Sequence, residues 1–220
     1  MATIVPRLPP TSTPDRLLAI GDIHGCRQLL QQLLEKVQPT ATDQLVFLGD
    51  YIDRGPESRQ VIETLLQLRE ELPRTVFLKG NHEQMLLGFL ADDDQLGFLV
   101  NGGTRTLQSY RQGEHVRIPE THLQFFDNLQ TGFETEGFIF VHAGMRPGIP
   151  FHQQRETDLL WIRADFLNSD YDWGKTVVFG HTPQTEAMME PTRIGLDTGA
   201  VYGRQLTCCD VLTRRLWTAG

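Results

Sequence analysis

Apolar positions along this 220-residue chain follow two alternating periods. Short runs at Arg16–Ile20, Gln44–Leu48 and Thr75–Leu78 carry Leu, Ile, Val and Phe over stretches too short for a helix, and they predict buried strands. Between the first two runs, Leu29, Leu30, Leu33, Leu34 and Val37 fall on one helical stripe. That stripe predicts a helix from about Cys26 to Gln38, stopped by Pro39. A second stripe, Val61, Ile62, Leu65, Leu66 and Leu68, predicts another helix with Pro56 in its first turn. A third helix runs through Leu90. Strands alternating with helices imply parallel pairing through right-handed crossovers. Such folds bind ligands in the loops at the carboxyl ends of their strands.

The rhythm breaks from Ala91 to Thr135. Asp92-Asp93-Asp94 reads as a solvated turn, because three adjacent acids cannot all face one ion. Asn101-Gly102-Gly103 reads as a turn, and Leu123, Phe125, Phe126 and Leu129 as a small helical cap. Strand character returns at Phe138–Val141, Thr176–Phe179, Arg193–Leu196 and Gln205–Leu212. The expected fold class is therefore α/β, a two-sheet mixed β-sandwich flanked by helices. We expect residues 1–15, rich in Pro and Thr, to be a flexible lead-in without the apolar core of a signal peptide. We expect residues 16–220 to form a single domain with the cap at about 91–135; no internal repeat interrupts it.

Composition is ordinary, with 40% hydrophobic and 22% charged residues, and no apolar run is long enough to span a bilayer. A membrane partner is not expected. Three cysteines, two of them the adjacent pair Cys208-Cys209, make no disulfide framework, and the cytoplasm is the expected location. Cys26 is not expected to be a metal ligand. A net charge of −8 argues against nucleic acid as a partner.

Five blocks at strand ends carry the chemistry: Gly21-Asp22-Ile23-His24-Gly25, Gly49 to Gly55, Gly80-Asn81-His82-Glu83, His142-Ala143-Gly144 and Gly180-His181-Thr182. Asp22 and His24 can reach one ion, and Asp50 can bridge, since a carboxylate has lone pairs for two metals. Asn81, His142 and His181 complete a second ion. Mixed carboxylate, imidazole and amide ligands suit manganese, iron or zinc better than calcium. Two such ions would draw phosphate to an acidic protein, acidify a bridging water and polarise the phosphoryl oxygens. No protein nucleophile is then needed. His82 is the expected general acid, with Asp53 holding its tautomer, and Arg54 the expected phosphate grip, with Arg163 as a second clamp. Asp197-Thr198-Gly199 follows a strand and reads as a strand-ending turn, with a place on the same rim as the alternative. Tyr202 reads as a packing residue, with a place in the substrate pocket wall as the alternative; His115, His122 and His152 lie outside the blocks.

Jointly these blocks, from Gly21 to Thr182, resemble those of the phosphoprotein phosphatase family within the calcineurin-like metallophosphoesterases, including small bacterial and phage serine/threonine phosphatases. The resemblance implies metal ligands Asp22, His24, Asp50, Asn81, His142 and His181, an acid pair of Asp53 and His82, and phosphate binding by Arg54 and, on weaker similarity, Arg163. It implies two divalent ions, often manganese or an iron–zinc pair. Phosphoserine or phosphothreonine in a protein or peptide is the expected substrate, with phosphotyrosine and small phosphoesters also compatible. The alternative is a symmetric diadenosine tetraphosphatase acting on dinucleoside polyphosphates. That group commonly has Asp after its Asn-His pair, where this chain has Glu83, so the resemblance tilts toward protein phosphatases. A dinucleotide enzyme would need a base-stacking pocket in the 91–135 segment, with Arg105, Arg111 and Arg117 as extra cations.

Overall fold

The computed structural model describes residues 13–220; most of the expected lead-in, residues 1–12, lies outside the described residues. The chain opens with strand β1 (Leu17–Ile20), helix α1 (Arg27–Val37), β2 (Gln44–Phe47), α2 (Ser58–Glu71), β3 (Thr75–Phe77) and α3 (Asn81–Leu90). The cap segment follows: α4 (Gln95–Phe98), a wide helical turn at Leu99–Gly103, α5 (Thr104–Ser109), a hairpin of β4 (Arg111–Gln112) and β5 (His115–Val116), and α6 (Glu120–Asp127). The second half holds β6 (Gly132–Glu134), β7 (Phe138–Val141), α7 (Glu156–Trp161), α8 (Ala164–Leu167), β8 (Thr176–Phe179), β9 (Met188–Met189), β10 (Arg193–Gly195), β11 (Leu206–Asp210) and β12 (Arg215–Ala219).

Two five-stranded sheets form, in the orders β12-β11-β1-β2-β3 and β6-β7-β8-β10-β9. β1, β2 and β3 pair in parallel, as the strand–helix rhythm predicts, and so do β7, β8 and β10. Strand periodicity builds the layers. Along β1, Leu17 and Ala19 face the layer between the sheets, with Val46, Leu48, Phe140, Val178 and Ile194. Leu18 and Ile20 face the opposite layer, under the α1 stripe of Leu30, Leu33 and Val37. A third layer of Ile139, Val141, Leu159 and Phe166 lies on the far side of the second sheet. Every residue of β1 and β2 is buried on both faces, which explains their unbroken apolar runs.

Three local expectations differ from the structure. Pro56 lies outside α2, whose N-cap is Glu57, because the chain first closes a tight turn at Asp53–Gly55. Asn101-Gly102-Gly103 is not a free turn: it belongs to the wide helical turn, in which Gly102 takes φ 105°. Leu129, read with the cap helix, lies beyond α6, which ends at Asp127; with Phe125 and Phe126 it belongs to the same core layer as α1 and α2. Asp92-Asp93-Asp94 is exposed as expected, and Asp94 caps α4 by accepting from the Gly97 N–H at 2.8 Å.

Candidate metal centre

All five sequence blocks sit at carboxyl ends of parallel strands on one rim: after β1, β2, β3, β7 and β8. Backbone bonds tie the loops together. The Asp50 carbonyl accepts from the Ile23 and His24 N–H groups at 3.0 and 2.9 Å, and the Tyr51 carbonyl from Gly25 at 2.8 Å. Glycines provide clearance where a side chain could not: a Cβ at Gly80 would collide with the Asp50 carboxylate, and one at Gly180 with that of Asp22. The strain falls on the functional residues themselves. His24, Asp50, Asp53, Arg54 and His181 all have positive φ, between 47° and 72°. For L-residues each such conformation costs on the order of 1–2 kcal/mol, so the surrounding bonds must over-determine it.

Two groups of buried donor atoms converge on Asp50. His24, Asp50 and His82 place one ligand atom each within 4.8 Å of one another, and so do Asp50, His142 and His181. His142 Nε2 and His181 Nδ1 each lie 2.9 Å from Asn81 Oδ1. Asp22 is buried on the same rim and accepts the His181 N–H at 3.0 Å. One of these groups thus includes His82, expected only as an acid, alongside His24 and Asp50. Cys26 keeps its thiol at the His24 carbonyl, 3.6 Å away, and burial pushes its pKa to about 11.

The donor set fits a cation. His142 Nδ1 lies 2.8 Å from the Leu48 carbonyl, which requires the proton on Nδ1 and leaves a lone pair on Nε2. That lone pair points at two further acceptors, Asn81 Oδ1 at 2.9 Å and Asp50 Oδ1 at 3.4 Å. Three acceptors meeting in a buried space repel unless a positive charge lies among them. His24 shares its first half, with Nδ1 on the Ile52 carbonyl at 2.8 Å, but its Nε2, 3.4 Å from Asp50 Oδ2, already accepts from Arg54 at 2.8 Å. Burial holds the His24 and His181 imidazoles down to about 3, aided by neighbouring imidazoles and by Arg54 and Arg163. They are therefore neutral, each with one lone pair, which here faces an arginine: Arg54 at His24 Nε2 and Arg163 at His181 Nε2.

His82 is the exception among the four imidazoles. Burial alone would lower its pKa, but the charge of Asp50 and the bond to Asp53 outweigh it, and the net direction is up. Its Nδ1 lies 2.6 Å from Asp53 Oδ2, while its buried Nε2 has no hydrogen-bond partner. That unpartnered atom sits 3.9 Å from Asp50 Oδ2. Arg54 donates to His24 Nε2 at 2.8 Å, with its guanidinium 5.8 Å from the Tyr202 ring centre. Arg163 Nε donates to His181 Nε2 at 3.0 Å. Both arginines thus stand at imidazoles of the candidate metal centre.

The structure adds residues that motif reading missed. Glu83 is fully buried and accepts the N–H groups of Asp50, Tyr51 and Gly80 at 2.9, 2.8 and 2.9 Å. Its place in the third position of a helix is a capping signal that could have been read. Burial and the Asp50 charge push its pKa to about 8. Asp197 is buried beside the site, the rim position that the sequence left open, with burial raising its carboxyl to about 6. Tyr202, expected to pack, is 55% exposed. It lines an open cleft of about 410 Å³ with Arg54, Val100, Asn101, Gly102 and Val201. His122 instead packs inside the cap, 2.8 Å from the Tyr110 hydroxyl.

The model of the calcineurin-like phosphoesterase family matches residues 15–208. A serine/threonine-protein phosphatase 1 from Salmonella typhimurium is 35% identical over 86% of this chain and 88% of its own length. An asymmetrical bis(5'-nucleosyl)-tetraphosphatase from Anoxybacillus flavithermus is 28% identical over 86% of this chain and 87% of its own. Among solved structures, a putative diadenosine tetraphosphatase superposes with a TM-score of 0.77 at 24% identity, covering 100% of this chain and 98% of that one.

Proposed function

This chain belongs to the calcineurin-like phosphoesterases, a family of metal-dependent phosphatases, and we propose that it releases phosphate from phosphoserine and phosphothreonine in proteins or peptides, with phosphotyrosine also accepted. One observation carries the reading: buried acceptors converge on Asp50, beside one imidazole whose pKa is raised and whose Nε2 is free. Asp22, His24 and Asp50 would hold one divalent ion, and Asp50, Asn81, His142 and His181 the other. Manganese is the proposed metal, with iron and zinc as the alternatives for this donor set. When bound, the ions supply Lewis acidity at the phosphoryl group and an acidified water.

The protein's own groups do the rest. Arg54 binds phosphoryl oxygens through its planar donors and, with Arg163 opposite, orients the ester. His82 holds a proton at Nε2 for the leaving oxygen, and Asp53 stabilises the charged imidazole by accepting its Nδ1–H. The cleft beside Arg54 supports a monoester. Its lining contains one cation, Arg54, with Val100, Val201 and Tyr202, and none of Arg105, Arg111 or Arg117. A longer phosphate chain would need further cations. The free thiols of Cys26, Cys208 and Cys209 support a cytoplasmic location, and among the described residues no helix is long and apolar enough to cross a membrane.

A dinucleoside tetraphosphate is the second reading, supported by the tetraphosphatase relatives. The curated one is named asymmetrical, so the symmetric cleavage expected from sequence has no special claim. Phosphate release from a phosphoserine peptide, set beside the mononucleotides formed from diadenosine tetraphosphate and separated by chromatography, compared across manganese, iron and zinc, tests the choice. Faster peptide turnover is expected; exclusive dinucleotide turnover would reverse the order.

A further inference from the structure

The cap reaches into the acid pair through a single hydroxyl. Thr106, on α5, is fully buried, and its Oγ1 donates to Asp53 Oδ1 at 2.6 Å. The same oxygen accepts the Asp53 N–H at 2.9 Å and lies 3.0 Å from Ser58 Oγ, at the start of α2. Ser58 Oγ in turn lies 3.1 Å from the Asp53 nitrogen. Asp53 therefore has both carboxylate oxygens committed, Oδ1 to Thr106 and Oδ2 to His82 Nδ1. Since Asp53 sits at φ 72° and Arg54 at φ 66°, something must hold this pair in the left-handed region. The cap supplies that hold twice, through Thr106 and through the Gly102 carbonyl, which accepts the Arg54 N–H at 3.3 Å. Gly102, at φ 105°, lies so close that a Cβ there would come within 2.8 Å of Arg54 Cγ.

We propose that Thr106 is a positioning residue: its hydroxyl fixes the rotation of the Asp53 carboxylate, and through it the direction of the His82 Nε2–H. The inference rests on the phosphatase reading above, in which His82 gives a proton to the leaving oxygen. Thr106 touches no substrate. Removing its hydroxyl leaves Asp53 Oδ1 free to turn, so the imidazole loses its fixed aim while the metal ligands stay in place.

Leaving-group chemistry isolates this role. An alkyl oxygen such as that of phosphoserine needs the proton; p-nitrophenolate leaves without it. We expect Thr106→Val to lower kcat on a phosphoserine peptide about tenfold to a hundredfold, while kcat on p-nitrophenyl phosphate stays within about threefold. Thr106→Ser should restore both substrates. In a His82→Asn background, Thr106→Val should cause no further loss on the peptide. Equal losses on both substrates, or additive losses in the double variant, would overturn the proposal. If the wild-type chain cleaves neither substrate, the phosphatase reading fails, and the His82 Nδ1–H proton resonance decides the positioning role. That resonance should resist solvent exchange in wild type and Thr106→Ser and exchange fast in Thr106→Val. Equal protection in Thr106→Val would refute the role, and Ser58→Ala gives a second test should Thr106→Val fail to fold.

Discussion

The Glu83 carboxylate reaches from the first turn of α3 to the backbone N–H of Asp50 at 2.9 Å, while the Asp50 carbonyl accepts from Ile23 and His24. The proposed bridging ligand is thereby fixed on both sides of its Cα, and three separate loops are held in one register. Glu83→Ala leaves four buried N–H groups, those of Asp50, Tyr51, Ile52 and Gly80, without partners. It should destabilise the protein by about 2–5 kcal/mol in urea unfolding and reduce metal content. A change below about 1 kcal/mol would mean the loops hold themselves.

Arg54 combines a bond to His24, a face toward Tyr202 and a place in the cleft wall. Arg54→Ala should lower kcat/KM for a phosphopeptide about a hundredfold, and Arg54→Lys should recover only part of it, lacking the planar donor pair. Steady-state kinetics checks this; full recovery by lysine would show that charge alone matters.

Gly180 leaves room for Asp22, and a methyl group there would strike the carboxylate. Gly180→Ala should weaken metal binding by displacing Asp22, yet leave the secondary structure intact. Calorimetric titration with manganese beside circular dichroism separates the two effects. Unchanged affinity would show that Asp22 contributes little to binding.

His24 and His181 are held near 3, below their ordinary value of 6.5, chiefly by burial. In chelator, the unfolded chain takes up protons on these rings below pH 6.5 and the folded chain does not. Their contribution is therefore fully present above pH 6.5 and is lost as pH falls toward 3. Asp197, raised to about 6, acts in the opposite sense over part of that range, so comparison with a variant is needed. Between pH 6.5 and 4 the chelated wild type should lose more stability than chelated His181→Asn. Parallel curves would show that His181 is solvated when metal is removed.

The first half of the fold was legible because Leu30, Leu33 and Val37 on α1, and Val61, Ile62 and Leu65 on α2, each bury one regular stripe against strands that are apolar on both faces. β12 was missed because Arg215, Leu216 and Trp217 lie on an edge where apolar and charged residues mix. The cap resisted reading for a different reason. Its helices are four to eight residues long, and their positions depend on contacts with α2 and α3 rather than on their own periodicity. Within the site, the residues at strand ends could be named because glycines mark the turns. Thr106 could not, since what makes it matter is a partner 53 residues away.

Asp50 is the one side chain that both cations would share. Metal content of the purified chain after loading with manganese and desalting, read by mass spectrometry for wild type and Asp50→Asn, tests that most directly. About two ions per wild-type chain, and a clear loss from both positions in Asp50→Asn, are predicted. A wild-type chain that retains no metal, or an Asp50→Asn variant that still holds both ions, would contradict it.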